Sequence, residues 1–339
     1  MSGSVFQVRL AGEETAFACA ADDTLLRAAQ RAGIGFPYEC NVGSCGNCKF
    51  ELVEGTLLSA WSAAPALSDK DRQRRRHLGC QSHPVGDCVV KLRPAARYVP
   101  LHRPHRTGAT LVRRHALTHD IAEFHFALDA PQDFEPGQYA LCQLPGVQGA
   151  RAYSMSNTAA DGGARVWHFQ VRRVPGGAGS EALFALLPGQ PVQIDGPYGM
   201  AWLRRDAPRD ILCLAGGSGL APMVSIARGA MAEARLATRQ LHFIYGGRTP
   251  QDLCGHDLLA ALPGASDRLH YRAFVSTPQP AGSPHEVAFV HEAALRLHGA
   301  QLPQMEVYFA GPPVMATAVQ RMLLDAGVPP EQQHFDAFY

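Results

Sequence analysis

The rhythm of hydrophobic and polar positions changes twice along this chain and divides it into three parts. Residues 1–98 begin with alternating segments at Val5–Leu10 and Thr15–Cys19, which predict a strand pair. Thr24–Arg31 has helical spacing and predicts a helix capped by Asp22 or Asp23, and Cys88–Leu92 reads as a closing strand. The following RPAARYVPLHRPHR carries three prolines and no apolar period, so residues 99–106 are expected to be a linker. Residues 107–208 hold short strands between Gly and Pro turns (ATLVRRHALT, AEFHFAL, QYALCQL, RVWHFQVRRV, PVQIDGP), the pattern of an antiparallel β-barrel. In residues 209–339 short apolar strands (ILCLA, HFIYGG, YRAFV, EVYFAG) alternate with helical stretches, which predicts a parallel α/β sheet. The fold class is therefore multidomain, without internal repeats or low-complexity tracts.

Composition narrows this little. The 339 residues are 46% hydrophobic and 18% charged, enough to bury real cores, and a net charge of +1 offers no global attraction to nucleic acid or anionic membrane. The N-terminal MSGSVFQVRLAGEETAF does not read as a signal peptide, and no apolar run approaches the ~20 residues of a membrane helix. A soluble, cytoplasmic, monomeric protein is expected. Nine cysteines, three of them clustered, point to metal or redox chemistry rather than to a disulfide framework.

Cys40-x4-Cys45-x2-Cys48, with Cys80 further on, has the plant-type spacing of a [2Fe–2S] cluster. Four thiolates must surround two irons, so three of them on one tight loop have to wrap the cluster. Gly43 and Gly46 let that backbone approach with its N–H groups toward the sulfurs. Zinc sites favour two close cysteine pairs, and only one is present. A Rieske centre needs two histidine ligands, and His83 has no counterpart. Cys19, Cys88, Cys142, Cys213 and Cys254 lie in apolar stretches and read as small buried hydrophobes.

Two further groups of residues point to nucleotides. Arg151, Tyr153 and Ser154 follow a PGQY turn; an Arg here can pair with a flavin phosphate, a Tyr can lie against the ring, and a Ser can reach its N5 region. The segment from Val171 through Gly176 and Gly177 to Ser180 ends a strand in a glycine turn that opens a helix, an anion site suited to a diphosphate. Gly216, Gly217, Ser218 and Pro222 lie in AGGSGLAP between a buried strand and a helix, where a dinucleotide pyrophosphate binds. This is not GxGxxG, and an ordinary strand-to-helix turn would look the same in isolation. The order of the elements along the chain makes the case.

Taken together, the cysteine motif, RAYSMSN, VRRVPGG, GPYG, AGGSGLAP and AGPP resemble the ferredoxin-NADP reductase superfamily with an N-terminal plant-type ferredoxin. FPYECNVGSCGNCKFELVEG, LAGGSGLAPMVSI and the terminal HFDAFY are similar, more closely, to the reductase components of bacterial toluene and related aromatic monooxygenases. The resemblance implies a β-grasp [2Fe–2S] ferredoxin domain, a β-barrel FAD domain and an α/β NAD-binding domain. It implies FAD on Arg151, Tyr153, Ser154 and the Gly176–Ser180 turn, and NADH around Gly216–Pro222, Arg248, Gly311 and Pro312. For the terminal aromatics it favours a ring covering the flavin face, Phe338 ahead of Tyr339, over packing against the domain interface. Electrons would go to a diiron hydroxylase, directly or through a Rieske-type ferredoxin; reductases of Rieske aromatic-ring dioxygenases share the layout. Many relatives carry Cys before G-P-P, where this chain has Ala310.

NADH delivers a hydride and an iron–sulfur cluster accepts single electrons, a mismatch that a flavin bridges. No general acid or base is therefore expected, and His115, His119 and His168 read as structural or exposed. One basic run, Lys70–His77 just before Cys80, suggests a docking surface for an acidic partner, or else a solvated helix face.

Overall fold

The computed structural model describes residues 3–162 and 164–338. By contacts the chain forms two compact units. The first holds residues 1–106 with Gln148–Ala152 and Asp195–Tyr198; the second holds the rest.

The first unit is built from β1 (Val5–Leu10), β2 (Ala16–Ala20), α1 (Leu25–Arg31), β3 (Lys49–Glu54), β4 (Leu57–Ser59), α2 (Asp69–Gln73), β5 (Arg76–Leu78), β6 (Ser82–Pro84) and β7 (Cys88–Lys91). Its main sheet runs β2-β1-β7-β3-β5, with β1 parallel to β7 and antiparallel to β2, and α1 packs on it through Leu25, Leu26 and Ala29. This is the expected β-grasp. Thr24, not Asp22 or Asp23, caps α1, because its hydroxyl accepts from the Arg27 N–H at 3.4 Å. Asp23 instead spends its side chain on the Thr24 N–H and the guanidiniums of Arg31 and Arg106.

The flavin-type part, most but not all of which falls in the second unit, contains β8 (His105–Ala116), β9 (Ile121–Leu128), β10 (Tyr139–Gln143), β11 (Arg151–Ser154), β12 (Val166–Arg172), α3 (Ala178–Ala185) and β13 (Pro191–Tyr198). Strand β8 thus starts two residues inside the expected linker. The sheet order is β11-β10-β13-β8-β9-β12, and a bridge between Met155 and Phe169 brings its first and last strands together as a barrel. Alternation in β9 and β12 sends Phe124, Phe126, Trp167 and Phe169 inward as the barrel core.

The remainder comprises β14 (Asp210–Gly216), α4 (Leu220–Ala232), β15 (Leu241–Gly247), α5 (His256–Ala260), α6 (Ala265–Arg268), β16 (Leu269–Val275), β17 (Glu286–Val287), α7 (Val290–His298), β18 (Met305–Gly311), α8 (Pro313–Asp325) and β19 (Gln333–Ala337). All strands are parallel in the order β17-β16-β15-β14-β18-β19. Covered on both faces, β14 reads as a continuous apolar run: Ile211, Cys213 and Ala215 serve the core under α4, and Leu212 and Leu214 the core under α7 and α8. Strand order reverses at β14, which has β15 on one side and β18 on the other. No helix among the described residues is long and apolar enough to cross a membrane.

Candidate functional site

Three predicted cluster ligands sit on the irregular stretch after α1, and the fourth follows β5. Cys40, Cys48 and Cys80 are buried and Cys45 is half-buried. The sulfurs of Cys48 and Cys80 stand 3.4 Å apart. Backbone N–H groups of Val42 and Cys45 donate to the Cys40 sulfur at 3.5 and 3.4 Å, and that of Asn47 donates to Cys45 at 3.4 Å. Donors aimed at sulfur stabilise thiolate, the form that binds metal. The Cys40 thiol is accordingly pulled down to about 5, first by the Cys45 thiol and then, against burial, by these N–H groups. The loop can bend this tightly because Gly43 and Gly46 take φ of 94° and 79°. A Cβ on Gly43 would also come within 3.0 Å of the Trp61 ring. This four-thiol loop fits a [2Fe–2S] group. Of the other cysteines, Cys19, Cys88, Cys142 and Cys213 are buried as expected; Cys254 is half-buried, with its sulfur 3.6 Å from the Tyr245 hydroxyl.

The flavin-type residues divide by role. Arg151 folds back on its own turn, donating through Nη1 to the carbonyls of Gln148, Gly149 and Ala150 at 3.1, 3.2 and 3.3 Å. Tyr153 is half-buried against the barrel core. Ser154 is buried and its hydroxyl donates to Asp336 Oδ2 at 2.5 Å. Val171 packs into the barrel core, which leaves only its backbone for a ligand. Gly176 turns the chain with a φ of 74° and is exposed; Gly177 caps α3, whose first N–H groups have no partner within the helix. The Ser180 hydroxyl accepts from the Val174 N–H at 3.0 Å and so fixes this turn. A shaped glycine turn at a helix N-terminus fits a diphosphate.

At the C-terminal ends of β14 and β18 the backbones of two turns meet. Gly216 ends β14 and Gly311 ends β18, both buried, with Pro312 exposed beyond. Gly217 has a φ of 56°, and a Cβ on Gly219 would stand 2.1 Å from the Ala310 carbonyl oxygen. A side chain there would push the two turns apart. Ser218 is half-buried beside it and Pro222 is buried in the first turn of α4. This crevice lies where the strand order reverses, the position at which open parallel sheets bind dinucleotides. Arg248, after β15, is exposed; its N–H donates to Asp252 Oδ2 at 3.1 Å and its guanidinium lies 4.0 Å from Oδ1. Phe338 is half-buried against the core under α4. Tyr339 lies outside the described residues.

Two residues stand in these sites without having been predicted. Asp336 holds Ser154, and the Arg172 guanidinium would meet a Cβ on Gly217 at 2.8 Å. Arg172 falls within the VRRVPGG motif; Asp336 falls within HFDAFY, where the aromatic residues drew the reading.

Comparison with known proteins bears on all three parts. Residues 8–85 match the 2Fe-2S iron-sulfur cluster binding domain, residues 108–202 the oxidoreductase FAD-binding domain, and residues 213–321 the oxidoreductase NAD-binding domain. The chain is 38% identical to the ferredoxin–NAD(P)(+) reductase CarAd of Metapseudomonas resinovorans, over 99% of this chain and 100% of that one. It is 37% identical to the ferredoxin–NAD(+) reductase component of the alkene monooxygenase system of Xanthobacter autotrophicus, over 95% of this chain and 97% of that one. Among solved structures, the ferredoxin reductase in carbazole 1,9a-dioxygenase superposes with a TM-score of 0.90 at 35% identity, covering 99% of each chain. With its four-thiol loop, barrel and switch-point crevice in that order, the chain belongs to the ferredoxin–NAD(P)(+) reductases of oxygenase systems, oxidoreductases that use FAD, a [2Fe–2S] cluster and a nicotinamide nucleotide.

Proposed function

We propose that this reductase takes a hydride from NADH and delivers single electrons to a toluene-type aromatic monooxygenase, through a Rieske-type ferredoxin or directly to a diiron hydroxylase. The observation that carries the reading is that one chain holds both a switch-point dinucleotide crevice and a four-thiol loop, the two-electron and one-electron ends of such a transfer. FAD, when bound, supplies the chemistry that accepts two electrons together and releases them one at a time. The chain supplies position. In this reading Arg151 and the Gly176, Gly177 and Ser180 turn hold the flavin phosphates, with the Val171 backbone beside them. Tyr153 lies along the ring, and Ser154, oriented by Asp336, addresses its edge. Gly216, Gly217, Ser218, Pro222, Gly311 and Pro312 wall the nicotinamide cleft, and a C-terminal aromatic residue, Phe338 ahead of Tyr339, covers the flavin face. Cys40, Cys45, Cys48 and Cys80 hold the cluster. The chain is taken as a monomer with domains at residues 1–98, 107–208 and 209–339, a division that the matched ranges support.

NADH is preferred to NADPH in this reading. Asp252 stands beside Arg248, the cation next to the expected ribose, and its buried Oδ1 has no hydrogen-bond partner. Asp252 is buried and bonded to Thr249, so it acts on a 2′-phosphate through its charge, which offsets part of the attraction of Arg248. A higher kcat/KM for NADPH than for NADH would contradict the preference. A Rieske dioxygenase as destination is supported by the likeness to the reductase in carbazole 1,9a-dioxygenase. Purified oxygenase components of each type, supplied with NADH and the reductase, separate the two.

The docking surface is tested by charge reversal. The basic run is not one helix face: α2 ends at Gln73, Arg75 sits at a φ of 52°, and Arg76 enters β5 and pairs with Asp71 at 3.2 Å. Reversing Arg76 would break that pair, so Lys70 and Arg74, both exposed, are the positions to change. Lys70→Glu with Arg74→Glu slows delivery to the natural acceptor several-fold at low salt, and the difference shrinks at high salt. NADH-dependent ferricyanide reduction stays at the wild-type rate. Equal delivery at every salt concentration would return the run to plain solvated surface.

A further inference from the structure

Three histidines and a glutamate lie together on the outer face of the barrel, and nothing in the electron path uses them. Residues pair across three adjacent strands: His115 of β8 faces Glu123 of β9, which faces Gln170 of β12, and His125 of β9 faces His168 of β12. Glu123 is 3% exposed, so its charge is compensated by what surrounds it. Its two oxygens differ. Oε1 accepts from the Ser156 hydroxyl at 3.0 Å and from the Gln170 amide at 2.8 Å. Oε2 faces two imidazoles, with His125 Nε2 at 2.9 Å and His115 Nε2 at 3.4 Å. The His168 ring stacks on His125 with centroids 3.6 Å apart and planes 5° apart, which fixes the His125 ring.

We infer that His115, Glu123 and His125 form a binding site for a divalent transition-metal ion of the zinc type. An ion with ligand bonds of about 2.0–2.1 Å in tetrahedral geometry sets neighbouring ligand atoms roughly 3.3 Å apart. The observed 2.9 and 3.4 Å bracket that spacing, and the ligand atoms of all three residues lie within 4.8 Å of one another. The carboxylate has the support a ligating carboxylate needs: neutral donors hold Oε1, and Oε2 is left for the ion. The buried Nδ1 of His115, the ring atom away from the proposed ligand atom, has no hydrogen-bond partner among the described residues, so no protein group fixes which nitrogen of that ring carries the proton. Arg113, across from His125 in the strand register, has an exposed side chain, and Arg228 of α4 is the cation that acts on His168. A bound ion would fasten β8 to β9. Through Glu123 and Gln170 it would also brace β12, which leads directly into the Gly176 turn.

The alternative is a metal-free network in which Glu123 simply accepts from its neighbours. Holoprotein with verified iron and FAD content, freed of adventitious metal, is dialysed against Zn2+, and zinc and iron are counted per chain. Wild type should take up zinc at this site without losing iron, and the temperature of FAD release should rise. His115→Ala and His125→Ala should each weaken that uptake by at least about tenfold and abolish the rise, with FAD and iron content intact. His270→Ala, on the nucleotide sheet, should bind zinc as wild type does. Undiminished uptake in His115→Ala, or no uptake by wild type, would overturn the assignment. So would uptake matched by iron loss, which would put the zinc on the cysteines.

Discussion

Ser154 and Asp336 lie 182 positions apart in the chain and share a buried hydrogen bond. It holds the Ser154 hydroxyl in one direction, and a hydrogen bond to a charged group contributes roughly 1.5–3 kcal/mol. If that orientation matters when the nicotinamide reacts, Asp336→Asn lowers kcat for NADH-dependent ferricyanide reduction about tenfold. KM changes little, because the cleft walls are untouched. A matching rise in KM with unchanged kcat would instead make the pair a binding feature. At this scale, what the sequence reveals depends on distance along the chain. The cysteine ligands are close neighbours in sequence, and their spacing alone states the chemistry. Asp336 acts through a partner in a distant strand, so no local pattern announces it. The cap of α1 is not legible locally for a related reason: Asp23 is a good capping residue, but Arg31 and Arg106 draw its side chain elsewhere.

Elements were legible where one periodicity governed them. The continuous apolar run of β14 and the alternation of β9 are read directly from the residues. The basic run Lys70–His77 was not, because a charged stretch carries no apolar period and here crosses a helix end, a turn and a strand. The nucleotide sheet holds a further feature that periodicity does not reveal. His242 of β15 stacks on His270 of β16 with ring centroids 4.9 Å apart and lies tilted against His298 of α7 at 4.5 Å. Burial first, then the two neighbouring imidazoles, push His242 down to about 4. The native protein therefore keeps this ring neutral while the unfolded chain protonates it near its ordinary value of about 6.5. The unfolded state binds the extra proton, so stability is lost as pH falls from about 6.5 toward 4. Between pH 7.5 and 5 the thermal midpoint of His242→Gln should fall less than that of wild type, by about 2–4 °C. Parallel pH dependence of the two proteins would remove His242 from the account.

For the whole molecule, the succession of three textures along the chain carried most of the information. A cysteine loop, a set of turn-separated strands and a strand–helix alternation each indicate a different cofactor, and the step from a hydride donor to a one-electron acceptor sets the direction of electron flow. The sequence does not reveal which oxygenase receives the electrons, because docking depends on a surface that the partner also shapes. Electrons enter from NADH at the flavin and leave through the four cluster thiols. Anaerobic rapid mixing of the holoprotein with NADH tests this path, with the flavin and cluster absorptions followed separately in wild type and in Cys45→Ser. The wild-type flavin band should bleach first and the cluster band after it, whereas Cys45→Ser should lack the cluster band and bleach its flavin at the wild-type rate. Cluster reduction at an undiminished rate in protein stripped of FAD would contradict this path, as would flavin reduction that disappears with the cluster.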